Sequence, residues 1–406
     1  PYINPPRLSS AASDVYKRQE QDRNDPASSQ LVLFDPEKPE KEGSLVIKDL
    51  ESTSAPSLSH DAHHLYFQGK KKREDPWQIW MLDLKKNKVS QITDLPENCT
   101  DPVSLPDGSV VFSRESQVKG VQVNDLWKIQ SDGCCLTRLT YNPARNLYPT
   151  VLWEGRILYV STEVYPEMRE SKLMVMRPDG TKSELYSAGG PQLLPAGGGS
   201  ESSDGFIYFI SGQEQLARVR HRRPLHTFEH LSQGVPGSFA SVHPLDAGGC
   251  LVSYRPSSSE TFGLYRFEPD TYQAPVLLIR RETNLTDPVF ISAVDPRPRI
   301  LPSAVDPGNS TGLLMSQDIN HSMLTAHAGI SGDSLAGRIR ISTFEGELAV
   351  VEAKADGSFY IKVDAEIPLR FEALNNQGEV VRGPSDWIYL RPNERRACTG
   401  CHANPE

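Results

Sequence analysis

A proline-opened unit recurs along the first two thirds of this chain at almost constant spacing. Pro56, Pro102, Pro149 and Pro191 follow one another at steps of 46, 47 and 42 residues. Each leads into a short apolar run: Leu65-Tyr66-Phe67, Val110-Val111-Phe112, Ile157-Leu158-Tyr159-Val160 and Phe206-Ile207-Tyr208-Phe209-Ile210. A fifth unit opens at Ser241-Val242-His243-Pro244 and reaches Cys250-Leu251-Val252-Ser253-Tyr254. All but the fourth continue into a second strand signal, at 78–83, 125–129, 172–176 and 263–267. Units of about 40–50 residues with about four strands apiece cannot each bury an apolar face alone, and they stack as the blades of a β-propeller. A β-sandwich with accidental periodicity is the plainer alternative, and five copies in one register weigh against it. The 29 glycines and 32 prolines supply turns at the frequency an all-β chain needs.

Asp287-Pro288-Val289-Phe290 begins a sixth unit, which strand signals at 30–34 and 44–50 would complete. The reading is therefore a propeller of about six blades over residues 25–300. A proline-rich exit, Asp295-Pro296-Arg297-Pro298-Arg299-Ile300-Leu301-Pro302, favours extended backbone and ends it. Residues 301–334 read as an irregular linker. Period-two patterning at 338–342, 348–353, 358–363, 369–374 and 379–382, with turns at Asp356-Gly357 and Gln377-Gly378, predicts a small β-sandwich over 335–390. Trp387-Ile388-Tyr389-Leu390 reads as one more strand leading into a last segment, 391–406. At the other end, residues 7–19 (RLSSAASDVYKRQ) resemble translated adapter read-through of the kind found in assembled environmental sequences. Residues 1–19 are accordingly expected to be foreign to the fold, disordered and unpacked. With no initiator Met and four residues after His402, both ends read as cut.

That last segment contains Cys398-Thr399-Gly400-Cys401-His402. Two thiols about one turn apart followed at once by histidine is the attachment pattern of haem c: Cys398 and Cys401 add to two porphyrin vinyl groups, and His402 ligates the iron. A zinc site would need one further ligand if His402 joins both thiolates, and two if it does not. Chance produces the pattern in roughly two chains per thousand of this composition, so haem is the preferred reading. Covalent haem implies an extracytoplasmic, for instance periplasmic, compartment. Of the remaining cysteines, Cys134 and Cys135 are adjacent and are not expected to pair without strain, while a disulfide involving Cys99 or Cys250 is not readable from spacing.

Two resemblances follow from these residues. The run PSLSHD…LYF…QIWMLDL…QITD resembles the TolB-type, WD40-like propeller repeat, with its tight Asp-Gly turn kept at Asp107-Gly108 and blurred at Asp61-Ala62. The ending DGSFYIKV…IPLRFEALNNQGEVV…SDWIYLRPNERRACTGCH, with FGLYRFEPD…DPRPRILPS at the propeller exit, resembles proteins related to the hydrazine synthase alpha subunit. That resemblance runs over about residues 50–402. It implies a propeller followed by a haem-bearing module. Hydrazine synthase, from anaerobic ammonium oxidisers, makes hydrazine from nitric oxide and ammonium at a multi-haem centre; a shared fold does not by itself transfer that reaction.

The sixth iron position decides what such a haem does: a second His or Met makes an electron carrier, an open position permits small-molecule chemistry. His321, Met323 and His327 precede the sandwich, and His327 and His321 are the first candidates for a distal ligand; a residue beyond Glu406 or from a partner chain is the alternative. Arg391, Arg395 and Arg396 lie close enough in sequence to meet a propionate, and Trp387 or Tyr389 to pack on a porphyrin, although surface arginines and sandwich core are the simpler assignments. The basic run from Arg218 to His230, with His221 and His226, reads as a solvated connection between blades. Lys70-Lys71-Lys72-Arg73 reads as a hairpin loop, and His60, His63 and His64 as surface residues. No spacing supports a Ser-His-Asp triad, a phosphate loop or a carboxylate pair. The net charge of −9 argues against nucleic acid as a partner, and no apolar run approaches the roughly 18 residues of a membrane span. Three functions fit: an extracytoplasmic c-type cytochrome passing electrons to a redox partner docked on the propeller, a subunit of a multi-haem redox enzyme with further haem subunits, or a propeller binding module with a structural haem.

Overall fold

The computed structural model describes residues 7–13, 29–35, 38, 41, 43–187, 198–212, 214–245, 248–271, 273–292, 297–320 and 335–398. Strands dominate; among the described residues the helical element is a single 3₁₀ turn, Pro224–His226. Among the described residues there are six four-stranded units, the second and third joined into one sheet by a single parallel pair, Asn124 with Arg145. Blade 1 is Ser52–Leu58, His64–Lys70, Gln78–Asp83 and Lys88–Gln91; blade 2 is Cys99–Ser104, Ser109–Val118, Val121–Gln130 and Thr137–Arg138. Blade 3 is Ala144–Val151, Ile157–Glu163, Lys172–Met176 and Glu184–Ser187; blade 4 is Ser200–Glu201, Phe206–Ser211, Gln215–Arg220 and Glu229–His230. Blade 5 is Ser238–Pro244, Cys250–Arg255, Gly263–Phe267 and Val276–Ile279. In blade 6, Asn284–Ile291 is joined by Arg7–Ser13, Gln30–Phe34 and Ser44–Leu45.

The recurring prolines fall on the innermost strand in blades 1, 2, 3, 5 and 6; the described inner strand of blade 4, Ser200–Glu201, has none. Ala55, Asp101, Tyr148 and Asp287, each directly before a proline, all take φ of about 50° (48°, 53°, 53° and 50°). The ladder slips at all four points, between Ser54 and Ser57, Thr100 and Val103, Leu147 and Thr150, and Thr286 and Val289. Proline has no N–H for a ladder, so it is tolerated on a strand at the edge of its sheet and at a bulge, which is where the innermost strand of a blade lies. Pro191 lies outside the described residues. The turns after these strands are fixed by short-range bonds: Asp107 takes the Ser109 N–H at 3.0 Å, and Gly108 sits at φ +85°. In the blurred copy Ala62 holds the left-handed position at φ +54° while Asp61 accepts from the Ser59 hydroxyl at 2.7 Å and the His63 N–H at 3.1 Å.

Two parts of the propeller differ from the sequence-based reading. The fourth unit does have a matching strand, Gln215–Arg220, so the basic run is a hairpin within blade 4 and not a connection between blades. Polar and basic residues hide the strand, because Arg218 is buried by pairing with Glu229 and Asp270 and stacking on Phe206. The sixth blade is closed by Arg7–Ser13, which inserts between Asn284–Ile291 and Gln30–Phe34 where no packing was expected. Ladder bonds are made by backbone groups and do not read side chains, so the open slot between two strands is filled by the chain segment that reaches it.

Beyond the propeller two sheets face each other over one apolar core that includes Leu314, Ile339, Ile341, Phe359, Ile361, Val363, Leu369 and Leu390. One sheet is Gly346–Glu352, Arg338–Thr343, Arg370–Leu374 and Val380–Arg382; the other is Phe359–Asp364, Thr311–Ser316 and Arg395–Cys398. The sandwich thus takes one strand from the expected linker and another from the expected C-terminal segment, leaving 301–310 as the connection. Residues 387–390 form no strand, only an isolated bridge from Ile388 to Leu369.

Candidate haem-attachment segment

The approach to Cys398 is made by the stretch from Asp386 onward, which crosses from the sandwich onto blades 2 and 3 and back. Asp386 pairs with Arg169 and Lys172 of blade 3. The Trp387 N–H donates to Glu163 Oε1 at 2.7 Å, its indole N–H donates to the Tyr165 carbonyl at 2.9 Å, and its ring meets Phe344 and the Arg370 guanidinium. Tyr389 is fully buried against Tyr141 and Met176. Arg391, also buried, donates to the Asp179 carbonyl at 3.1 Å, to Glu366 at 2.8 Å and to the Tyr141 hydroxyl.

Glu394 closes this strap. Its carboxylate is 3% exposed at the residue level and accepts four donors: the backbone N–H of Lys182 at 2.9 Å, that of Arg391 at 2.8 Å, and the Nε and Nη2 of Arg396 at 3.2 and 2.8 Å. The Lys182 ammonium donates to the Arg395 carbonyl. A carboxylate with that many charge-assisted and backbone donors locks the direction of the chain just before Arg395–Cys398. Glu163 plays the matching part at the start of the strap, and burial, with the nearby Asp386 charge, raises its carboxyl above the usual range. Trp387 and Tyr389 therefore belong to the propeller junction, and Arg391 and Arg396 are engaged within the protein, so neither is a free anion partner. None of these carboxylates has a sequence signature: Asn393-Glu394-Arg395-Arg396 reads as a solvated charge run.

Arg395–Cys398 pairs in parallel with Thr311–Ser316, ending on the couple Ser316 and Cys398. Both strands run out at the same end of the sandwich, five positions before His321 and four before His402. Residues directly opposite each other share a face of the sheet. The row next to Cys398 is Ala397, Met315 and Tyr360; Met315 is 42% and Tyr360 59% exposed. One step back the row is Arg395, Leu313 and Lys362, with both cations exposed. These two rows lie on the face of the sheet opposite to the row that Cys398 shares with Ser316 and Phe359, so what suits a porphyrin here is the thiol-thiol-imidazole donor set, by covalent and axial attachment. Cys401, His402, His321, Met323 and His327 lie outside the described residues.

The other groups singled out in the sequence fall elsewhere. Lys70 and Lys71 lie over Trp77 and Trp80 in the hairpin of blade 1. His60 is half-buried, and its ring meets the Ser104 carbonyl at 3.2 Å, so it is not a plain surface residue. His221 stands between Glu154 and Glu201 in a cleft of about 470 Å³ between blades 3 and 4. Among the described residues no three His, Cys, Asp or Glu side chains converge as a metal site, and no helix is long and apolar enough to cross a membrane.

Residues 318–403, covering most of the sandwich and the cysteine motif, match the family model of the hydrazine synthase alpha subunit middle domain. The alpha subunit of hydrazine synthase from Kuenenia stuttgartiensis is 21% identical over 515 residues, an alignment taking in 93% of this chain. The chain is related to the hydrazine synthase alpha subunit. It spans 63% of the length of that relative. Solved hydrazine synthase from Kuenenia stuttgartiensis has the same fold, with a TM-score of 0.82 at 18% identity over 98% of this chain and 69% of that one. A chain of the nidogen/laminin complex shares fold alone, with a TM-score of 0.52 at 10% identity over 71% of this chain and 99% of its own. The hydrazine synthase likeness therefore extends through propeller, strap and sandwich, while the family-model match falls on the part that ends in the motif.

Proposed function

We propose that this protein is a haem c-bearing subunit of an extracytoplasmic, multi-haem redox enzyme similar to hydrazine synthase. The observation that carries the reading is the delivery of Cys398 by a strand clamped between propeller and sandwich, inside the region that matches the hydrazine synthase alpha middle domain. A plain electron carrier on a docking platform has less support, because the likeness runs over the whole architecture and not over the cysteine motif alone. Cys398 and Cys401 would hold the porphyrin covalently and His402 would ligate its iron, which supplies one-electron chemistry when bound. The chain's own part is to hold that segment rigid through Glu394 and through the ladder with Thr311–Ser316. His321 and His327 follow a strand that ends beside Cys398, which favours them as the distal ligand over a residue from another part of this chain.

The test is export of the complete gene product through a c-type haem maturation system. Covalent haem should survive denaturation and disappear in the Cys398→Ala, Cys401→Ala double variant. Co-purification with further haem-carrying subunits supports the enzyme reading; a single-haem, monomeric product overturns it. Loss of the low-spin spectrum in His321→Ala or His327→Ala would identify the distal ligand.

A further inference from the structure

The four described cysteines outside the motif divide sharply. Cys99 and Cys250 are fully buried in the core, out of reach of any reagent. Cys134 and Cys135 are exposed at the tip of the blade 2 hairpin that joins Val121–Gln130 to Thr137–Arg138, on the outer rim. Adjacency argued against their pairing, since neighbouring Cα atoms are about 3.8 Å apart across a trans peptide and ordinary disulfides span about 4.4 Å or more. The hairpin answers that objection. Gly133 at φ +86° and Cys135 at φ +62° fold the tip back on itself, and the two Sγ atoms lie 2.7 Å apart, inside ordinary contact distance for two sulfurs. Three bonds hold the tip in that shape: the Gly133 N–H to the Gln130 carbonyl at 2.9 Å, the Gln130 N–H to the Cys134 carbonyl at 3.0 Å, and the Cys134 N–H to Asp132 Oδ1 at 2.9 Å. A non-glycine residue at positive φ is uncommon and is kept where the surrounding structure imposes it.

We infer that Cys134 and Cys135 form a redox-active vicinal dithiol that closes to a disulfide when it meets a small-molecule or protein disulfide. One cysteine thiolate attacks the incoming disulfide, giving a mixed disulfide and releasing the first thiolate of the oxidant. The neighbouring cysteine then loses its proton and attacks the mixed disulfide at the protein sulfur. The Sγ134–Sγ135 bond forms, the second thiolate of the oxidant leaves, and the oxidant departs as thiols carrying the two electrons and two protons. The second step is intramolecular between sulfurs already in contact, so the mixed disulfide should not accumulate. No step involves the haem segment, so this inference stands or falls separately from the function proposed above.

The test uses the whole purified chain, reduced and then treated with oxidised glutathione as the disulfide. Residual thiols are blocked with an alkylating reagent and the protein is digested with trypsin, which releases Ile129 to Arg138, a peptide containing these two cysteines and no others. The expected product is that peptide about 2 Da lighter than its dithiol form, unalkylated, with no glutathione attached. Cys135→Ser should stop at a glutathione adduct on Cys134, which shows that the first step is accessible. Two alkylated thiols, a persistent glutathione adduct in the unmodified protein, or a bridge from either cysteine to any other would overturn the assignment.

Discussion

Between blades 3 and 4, Leu158, Val160, Leu173, Ile207, Phe209 and Val219 pack together as a buried apolar cluster. Between the propeller and the sandwich, Glu163, Arg370, Arg391 and Glu394 are buried instead, each paired across the junction or beside it. Both seams exclude water, but they constrain the chain differently. Apolar contact scales with area and tolerates small shifts. A buried carboxylate that must meet four donors has one acceptable position, and a missing partner leaves the desolvation cost of a charge unopposed. The six blade seams hold a ring together; the ionic seam fixes the strand that ends at Cys398.

Glu394→Ala probes this contrast most strongly. It strands Arg396 and two backbone N–H groups in a dry site and should cost about 3–5 kcal/mol, the range for breaking a buried ion pair. Denaturant unfolding measures it, and the yield of covalent haem should fall with it; a cost below about 1 kcal/mol would remove the distinction between the two seams. Glu394→Gln, which keeps an acceptor, should lose clearly less.

Leu158→Ala tests the apolar side. Leu158 is completely buried between blades 3 and 4, and its truncation should cost about 3 kcal/mol through lost transfer energy plus the cavity left behind. Haem attachment per folded molecule should stay unchanged. A parallel drop in attachment would mean that the blade seams also set the position of the Cys398 strand.

The smallest effect is expected from Asp101→Asn, on the inner strand of blade 2. Burial, with the like charge of Asp287 at the same bulge in blade 6, pushes Asp101 up to about 6 from 3.8. The folded state therefore holds a proton that the unfolded chain has already lost between those values, and stability falls as the pH rises through that window. Asparagine cannot ionise, tolerates the observed φ of +53° and keeps an acceptor. The variant should match the parent near pH 4 and exceed it by about 1–2 kcal/mol above pH 7. A difference independent of pH would show that Asp101 is not held in its neutral form.

The blades were legible because most encode themselves: a proline on the inner strand, an apolar run, and a polar turn, repeated often enough that one blurred copy at Asp61-Ala62 did no harm. The five sandwich strands from 338 to 382 were legible for the same local reason. Blade 4 was obscured because Arg218 and Arg220 occupy a strand whose burial depends on Glu229 and Phe206 of neighbouring strands and Asp270 in a turn of blade 5. Thr311–Ser316 and Arg395–Cys398 were missed because a parallel pair between residues 82 positions apart leaves no trace in either segment alone. For the candidate site, the motif itself was plain, while the Glu394 clamp was invisible.

The sequence by itself determined the repeated units, the all-β character and the cysteine-cysteine-histidine spacing on which the haem proposal rests, because strand period, turn residues and thiol spacing are properties of neighbouring residues. Only the tertiary structure decided which segment closes the ring at Arg7–Ser13, why Trp387 and Tyr389 face the propeller, and that Cys134 and Cys135 touch. Those outcomes depend on backbone slots, buried charges and a turn geometry that exist only once distant parts of the chain have met.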